Sequence, residues 1–138
     1  MYIIKAQCAF YGINYSPRLV EKLVGFQFSE KNEPCELGIK GRFMNQPIPF
    51  GSSTLEGVFN GEANSSLNSL LSTLEKHMPT IRQCGADDIV MHCDVFHDGQ
   101  CNLEFSSEQM TRIASLSVPF TISCYEDEAQ LAGIKSPS

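Results

Sequence analysis

Leu67, Leu70, Leu71, Leu74 and Met78 recur at intervals of three and four, and soon afterwards Ile89, Met91, Cys93 and Val95 recur at every second position. The first spacing is the apolar stripe of a helix, and the second is one face of a strand. A chain that carries both has to bury a helix stripe against a sheet face, which excludes purely helical and purely stranded architectures.

The rest of the chain extends this alternation of elements. Ile4, Ala6, Cys8 and Phe10 alternate with Ile3, Lys5, Gln7 and Ala9, a strand over 2–11. Ser16 and Pro17 are a strong N-cap and a favoured first helical residue. Gly25 supplies the left-handed stop, so a two-turn helix is expected between them. Its stripe is Leu19, Val20, Leu23 and Val24, and Phe26 and Phe28 follow to pack it onto the sheet. Pro34, Gly38, Gly41, Asn45, Pro47 and Pro49 punctuate the next stretch, where 37–39 and 42–44 read as short edge pieces. So long an irregular segment is characteristic of a binding loop. A strand over 54–59, a turn at Asn60-Gly61 and a cap at Asn64-Ser65-Ser66 lead into the leucine-rich helix. Pro79 should end or kink that helix; Ile81 keeps the phase, which leaves open a kinked extension to Gln83, and Gly85 closes the segment.

The strand over 89–97 is followed by Asp98-Gly99, a hairpin signal, and by Cys101, Leu103 and Phe105 at alternate positions. A three-residue loop, Asp98-Gly99-Gln100, aligns the two apolar sets and sets Asp94 opposite Glu104. Ser106 and Gln109 form a capping box, with Met110, Ile113, Ala114 and Leu116 as the buried stripe. Pro119 ends that helix, and Phe120 to Tyr125 is the last strand. The expectation is a single domain over 1–128 with a tail over 129–138. Its class is α+β: a largely antiparallel sheet of five to six strands, with three helices packed mainly on one face.

Charge and cysteines narrow the chemistry. The 138 residues carry 10 Lys+Arg against 16 Asp+Glu, a net charge of -6. Without a basic cluster there is little to displace counterions from a phosphate backbone, so nucleic acid is not an expected partner. No apolar run is long enough for a membrane span. The first residues lack a basic start ahead of a long apolar run, so no export signal and a cytoplasmic setting are expected. The six cysteines, Cys8, Cys35, Cys84, Cys93, Cys101 and Cys124, show no zinc or redox spacing and read as free thiols, mostly buried. Gly38-Ile39-Lys40-Gly41 is too short for a phosphate loop. No cofactor is expected.

The capped helix Ser16 to Gly25 behind an N-terminal strand, the helix Leu67 to Met78, and the ending Leu103-Glu104-Phe105-Ser106-Ser107-Glu108-Gln109-Met110, Ala114 and Phe120-Thr121-Ile122-Ser123-Cys124-Tyr125 form a familiar pattern. It resembles a family of small bacterial proteins known as the domain of unknown function forty-two seventy-nine. The resemblance implies the fold and a bacterial cytosolic setting. It implies no activity and no site residues.

Four constellations remain as site candidates. His92 and Asp94, with Glu104 across the hairpin, offer one imidazole and two carboxylates to a divalent metal. Set against this, a solvated outer face would carry the same residues. Cys101 beside His97 could be an activated thiol, against a packed thiol next to a loop histidine. Tyr11 and Tyr15 could flank a pocket at the irregular loop. Asp94, Glu104, Glu126, Asp127 and Glu128 could form an acidic surface that steers a basic partner, or could simply solubilise the chain. The leading expectation is a non-enzymatic protein-binding protein. The specific form expected is an immunity protein that neutralises a bacterial toxin by occluding its basic active site. The alternative is a small metal- or ligand-binding enzyme using a cleft near residues 30–50 and the 92–104 hairpin face.

Overall fold

The computed structural model describes residues 1–132. In chain order the elements are β1 (Tyr2–Gly12), α1 (Pro17–Val24), β2 (Glu30–Asn32), β3 (Gly51–Glu56), α2 (Ser65–Gln83), β4 (Asp88–His97), α3 (Ser107–Ser115), β5 (Phe120–Glu126) and α4 (Glu128–Leu131), with a single 3-10 turn over Gly41–Phe43. The strands form one sheet in the order β2-β3-β1-β4-β5. All neighbours are antiparallel except β4 and β5, which run parallel and are joined through α3. The class is α+β, as the mixed periodicity requires.

Local sequence chemistry sets the helix ends. Ser16 Oγ accepts the Leu19 N–H at 3.2 Å, Pro17 opens α1, and Gly25 closes it at φ 85°. Val20 is buried, whereas Leu19 and Leu23 face solvent. α2 continues through Pro79 to Gln83 and buries Leu67, Leu70, Leu71, Leu74, Met78 and Ile81. Ser106 and Gln109 close the capping box at the start of α3. The buried residue of α3 is Gln109 rather than Met110, because the Gln109 amide donates to Asn68 Oδ1 on α2 at 2.9 Å. Met110 is left 54% exposed, and Ala114 also faces solvent.

The main core lies between the sheet and α1, α2 and α3. Ile4, Ala6, Cys8 and Phe10 of β1 and Ile89, Met91, Cys93 and Val95 of β4 meet the α2 stripe there. Phe28 packs on Phe10 with ring centroids 6.0 Å apart. β3 begins earlier than expected and stops at Glu56. The Gly57 N–H still donates to Ala6 O, but a Cβ on Gly57 would lie 1.9 Å from Ser66 O. Beyond that point the loop into α2 completes the edge of β1, with Ala63 O accepting the Ile4 N–H and Ser66 Oγ the Ala6 N–H. Ile3 and Leu131 are buried outside this core. They belong to the opposite face, where α4 packs against β4 and Gln130 Oε1 accepts a bond from Lys5 Nζ. Residues 129–131 of the expected tail therefore belong to α4, Ala132 caps it, and 133–138 lie outside the described residues.

The expected hairpin after β4 is not formed. β4 already pairs along one edge with β1 and along the other with β5, so no edge remains for a returning strand. Asp94 consequently lies beside Lys5 and Ser123, not Glu104. Cys101, Leu103 and Phe105 do alternate inward, but as an extended strap packed against the core. Among the described residues no helix is long and apolar enough to cross a membrane.

Candidate functional site

Strand alternation decides which side chains occupy the sheet face that α1, α2 and α3 leave uncovered. Its rows follow from the register. Lys5, Asp94 and Ser123 lie side by side, as do Glu56, Gln7, His92 and Thr121. Ile3, Phe96 and Tyr125 form the row nearest α4, where the Phe96 and Tyr125 rings stack at 5.5 Å. Ser52, Tyr11 and Asp88 form the row at the other end, and Glu30 lies beside Thr54 at the β2 edge. The face thus presents Glu30, which Lys40 of the 36–40 segment meets at 3.4 Å, together with Glu56, Asp88 and Asp94 against Lys5. The lysine is itself occupied, 5.6 Å over the Phe96 ring and bonded to Gln130.

His92 is held at both ring nitrogens. Nε2 lies 2.9 Å from Asp94 Oδ1 and Nδ1 2.5 Å from Thr121 Oγ1. With Nε2–H donating to the carboxylate, Nδ1 accepts from the threonine hydroxyl. That is the order of groups in a hydroxyl–imidazole–carboxylate relay. The three side chains line neither of the two clefts described below, so the arrangement fixes the orientation of a polar patch rather than enclosing a substrate. Asp94 and Thr121 use the imidazole nitrogens a metal would need. Among the described residues no three His, Cys, Asp or Glu side chains are placed to hold a metal ion.

The five acidic residues expected to cluster are divided. Asp94 is on the uncovered face. Asp127 caps α4, accepting the Ala129 N–H at 3.1 Å, and Glu128 stands in its first turn, at the rim of the same face. Glu126 aligns with His97, a position of opposite parity to Asp94, and points to the other side of the sheet. Glu104 is exposed on the strap. Sequence reasoning missed Thr121 as the partner of His92, Gln7 as its cross-strand neighbour, and Lys5 opposite Asp94. The β1 alternation already placed Lys5 and Gln7 together, but their cross-strand company depends on strand order.

A cleft of about 560 Å³ opens at the β2 end, where the 36–40 segment arches over Tyr11, Glu30, Asn32, Ser52 and Thr54. A second, of about 540 Å³, lies between α2 and the end of α3. Tyr11 lines the first cleft, but Tyr15 does not flank it. Tyr15 is fully buried, with its hydroxyl 2.7 Å from Ser53 Oγ, and burial raises its pKa. Burial likewise pushes the Cys8 and Cys93 thiols up to about 12, which makes them inert. Cys35 and Cys124, by contrast, are exposed. Cys101 has Cys124 as a near neighbour rather than forming a pair with His97, whose Nδ1 engages Gly99 O at 3.1 Å.

Compared with known proteins, the chain matches no family model, no curated protein and no solved structure.

Proposed function

We propose that this chain is a non-enzymatic protein-binding protein whose uncovered sheet face docks a basic partner. In its specific form the proposal is an immunity protein that occludes the cationic active site of a bacterial toxin in the cytoplasm. One observation carries the reading: the sheet face left by α1, α2 and α3 bears Glu30, Glu56, Asp88 and Asp94 against two lysines that are both engaged, Lys5 with Gln130 and the Phe96 ring and Lys40 with Glu30 at 3.4 Å. With a net charge of -6 behind it, such a face attracts cationic surfaces at long range and accelerates encounter. The His92 bonds to Asp94 and Thr121 hold part of the face rigid before binding, which lowers the ordering cost of association.

The test is capture of partners from the native host with the tagged chain, followed by titration of a captured protein at increasing salt. A basic partner should bind about tenfold or more weakly as salt rises from roughly 0.05 to 0.5 M, the signature of screened charges. Asp94→Lys with Glu56→Lys should weaken it further and slow association. A captured partner indifferent to both salt and these substitutions would sink the reading.

The cleft beneath the 36–40 segment favours a second reading, a module that binds a small polar ligand. Its volume of about 560 Å³ falls within the range of small-molecule sites. Saturable thermal stabilisation by a compound, abolished in Ser52→Phe, would promote it over the first.

A further inference from the structure

The strap between β4 and α3 lies along the edge strand β5 in a defined alignment. The Phe105 ring meets the Phe120 ring edge-on at 6.1 Å, and at the other end of the strap Cys101 has Cys124 as a near neighbour. The two pairs are the same number of residues apart on both segments and step in opposite directions. The strap therefore runs antiparallel to β5 over its core side. Cys124 aligns with the buried Val95, which puts its side chain on that side too, at the open margin of the sheet.

The two thiols differ in the way a reactive pair needs. Cys124 is exposed, while Cys101 is half-buried against the core beneath the strap. The strap itself is weakly held. Among the described residues no backbone–backbone hydrogen bond involves residues 99–105, so beyond the His97 contact to Gly99 O the inward packing of Cys101, Leu103 and Phe105 is what fixes it. Gly99 at φ 55° marks its start and the Ser106 cap its end. A segment secured by few side-chain contacts opens at low cost, which lets Cys101 approach a partner bonded to Cys124.

We propose that Cys124 and Cys101 form a thiol–disulfide exchange site, with Cys124 the attacking and Cys101 the resolving cysteine, acting on small-molecule or protein disulfides. Cys124 thiolate attacks one sulfur of a disulfide RSSR, forming a Cys124–SR mixed disulfide and releasing RS⁻. Cys101 thiolate then attacks Cys124 Sγ, closing the Cys101–Cys124 bond and releasing the second RS⁻. The protons of the two cysteine thiols end on the two RSH products. The protein pair is oxidised by two electrons and RSSR is reduced by two. Burial, followed by the neighbouring Cys124, raises the Cys101 pKa, which suits the residue that waits rather than the one that attacks first. The product staples the strap to the sheet edge. It is independent of what docks on the opposite face.

The test equilibrates the reduced full-length chain with oxidised glutathione and then alkylates the remaining thiols for mass analysis. The wild type should lose the Cys101 and Cys124 thiols and retain no glutathione on either, with peptides 101 and 124 joined, whatever the exposed Cys35 takes up. Its melting temperature should rise by roughly 10 °C, as closing a loop of this length implies. Cys101→Ser should stop at the mixed disulfide, carrying one glutathione on Cys124, and Cys124→Ser should form no intramolecular bond. Because the wild-type measurement needs no variant, a failure of either variant to fold leaves it decisive. Free thiols at both Cys101 and Cys124 after oxidation, stable glutathione on Cys124 of the wild type, or a bond joining either of them to another cysteine would overturn the proposal.

Discussion

The Ala6 N–H donates to Ser66 Oγ at 2.9 Å, tying the central strand to the first turn of the longest helix. The bond exists because β3 ends at Glu56 and leaves the N-terminal half of β1 without a strand partner on that edge. Ser66 is 1% exposed, so water cannot replace it. Ser66→Ala should therefore cost about 1–3 kcal/mol, the penalty for a buried donor left without an acceptor. In urea unfolding the midpoint should fall with an unchanged slope. An unmoved midpoint would mean that Ala6 finds another acceptor.

Pro79 offers a prediction of the opposite sign. It stands inside α2 with its ring exposed, and it cannot supply the N–H that Glu75 O would accept. Replacing an interior proline with alanine gains about 3 kcal/mol of helix propensity. Roughly 1 kcal/mol is returned because the unfolded chain becomes freer. Pro79→Ala should raise stability by about 2 kcal/mol in the same urea assay. Equal or lower stability would show that the backbone set by Pro79 is required to seat Met78 and Ile81.

The elements that sequence reading found are those whose ends and faces are set locally. Ser16, Pro17 and Gly25 define α1 without help from distant residues, and Ser106 with Gln109 does the same for α3. The strap shows where local reasoning stops. Cys101, Leu103 and Phe105 alternate as a strand would, but alternation says which side chains share a face and not which segment they meet. Asp98-Gly99 suggested β4 as the partner, and the long-range pairing of β1 and β5 with β4 had already taken both edges. The candidate site was half legible for the same reason. His92 and Asp94 share a face by alternation alone, whereas Thr121 joins them only because β5 returns parallel to β4.

Glu21 gives the fold a pH dependence whose sign can be worked out. Burial works to raise its pKa, but the Lys31 ammonium at 2.6 Å and the Phe28 N–H at 2.9 Å, with Arg18 nearby, hold it below the ordinary carboxylate range. A carboxyl lowered on folding stabilises the native state above its unfolded pKa of about 4.3, and that contribution disappears as pH falls through the folded value. Wild type should thus lose stability below about pH 4.5 more steeply than Glu21→Gln, which should be the weaker protein at pH 7. Urea midpoints measured from pH 7 to pH 3 decide this. Parallel acid limbs in the two proteins would remove Glu21 as the cause.

Leu131 tests whether α4 is part of the domain. It is 6% exposed, and with Ile3 it is buried on the sheet face opposite the main core. Asp127 caps the turn that carries it, and Gln130 reaches Lys5 on β1. Leu131→Ala should cost about 2 kcal/mol, near the lower end for leucine truncation, because the cluster around it is small. Leu71→Ala, at the centre of the main core and 0% exposed, should cost more, toward roughly 4 kcal/mol. Truncation after Glu128 should reproduce the Leu131→Ala loss and deprotect the Asp127 amide, which donates to His97 O. If Leu131→Ala leaves the urea midpoint and the exchange of that amide untouched, α4 contributes nothing to the fold and the uncovered face extends over Ile3.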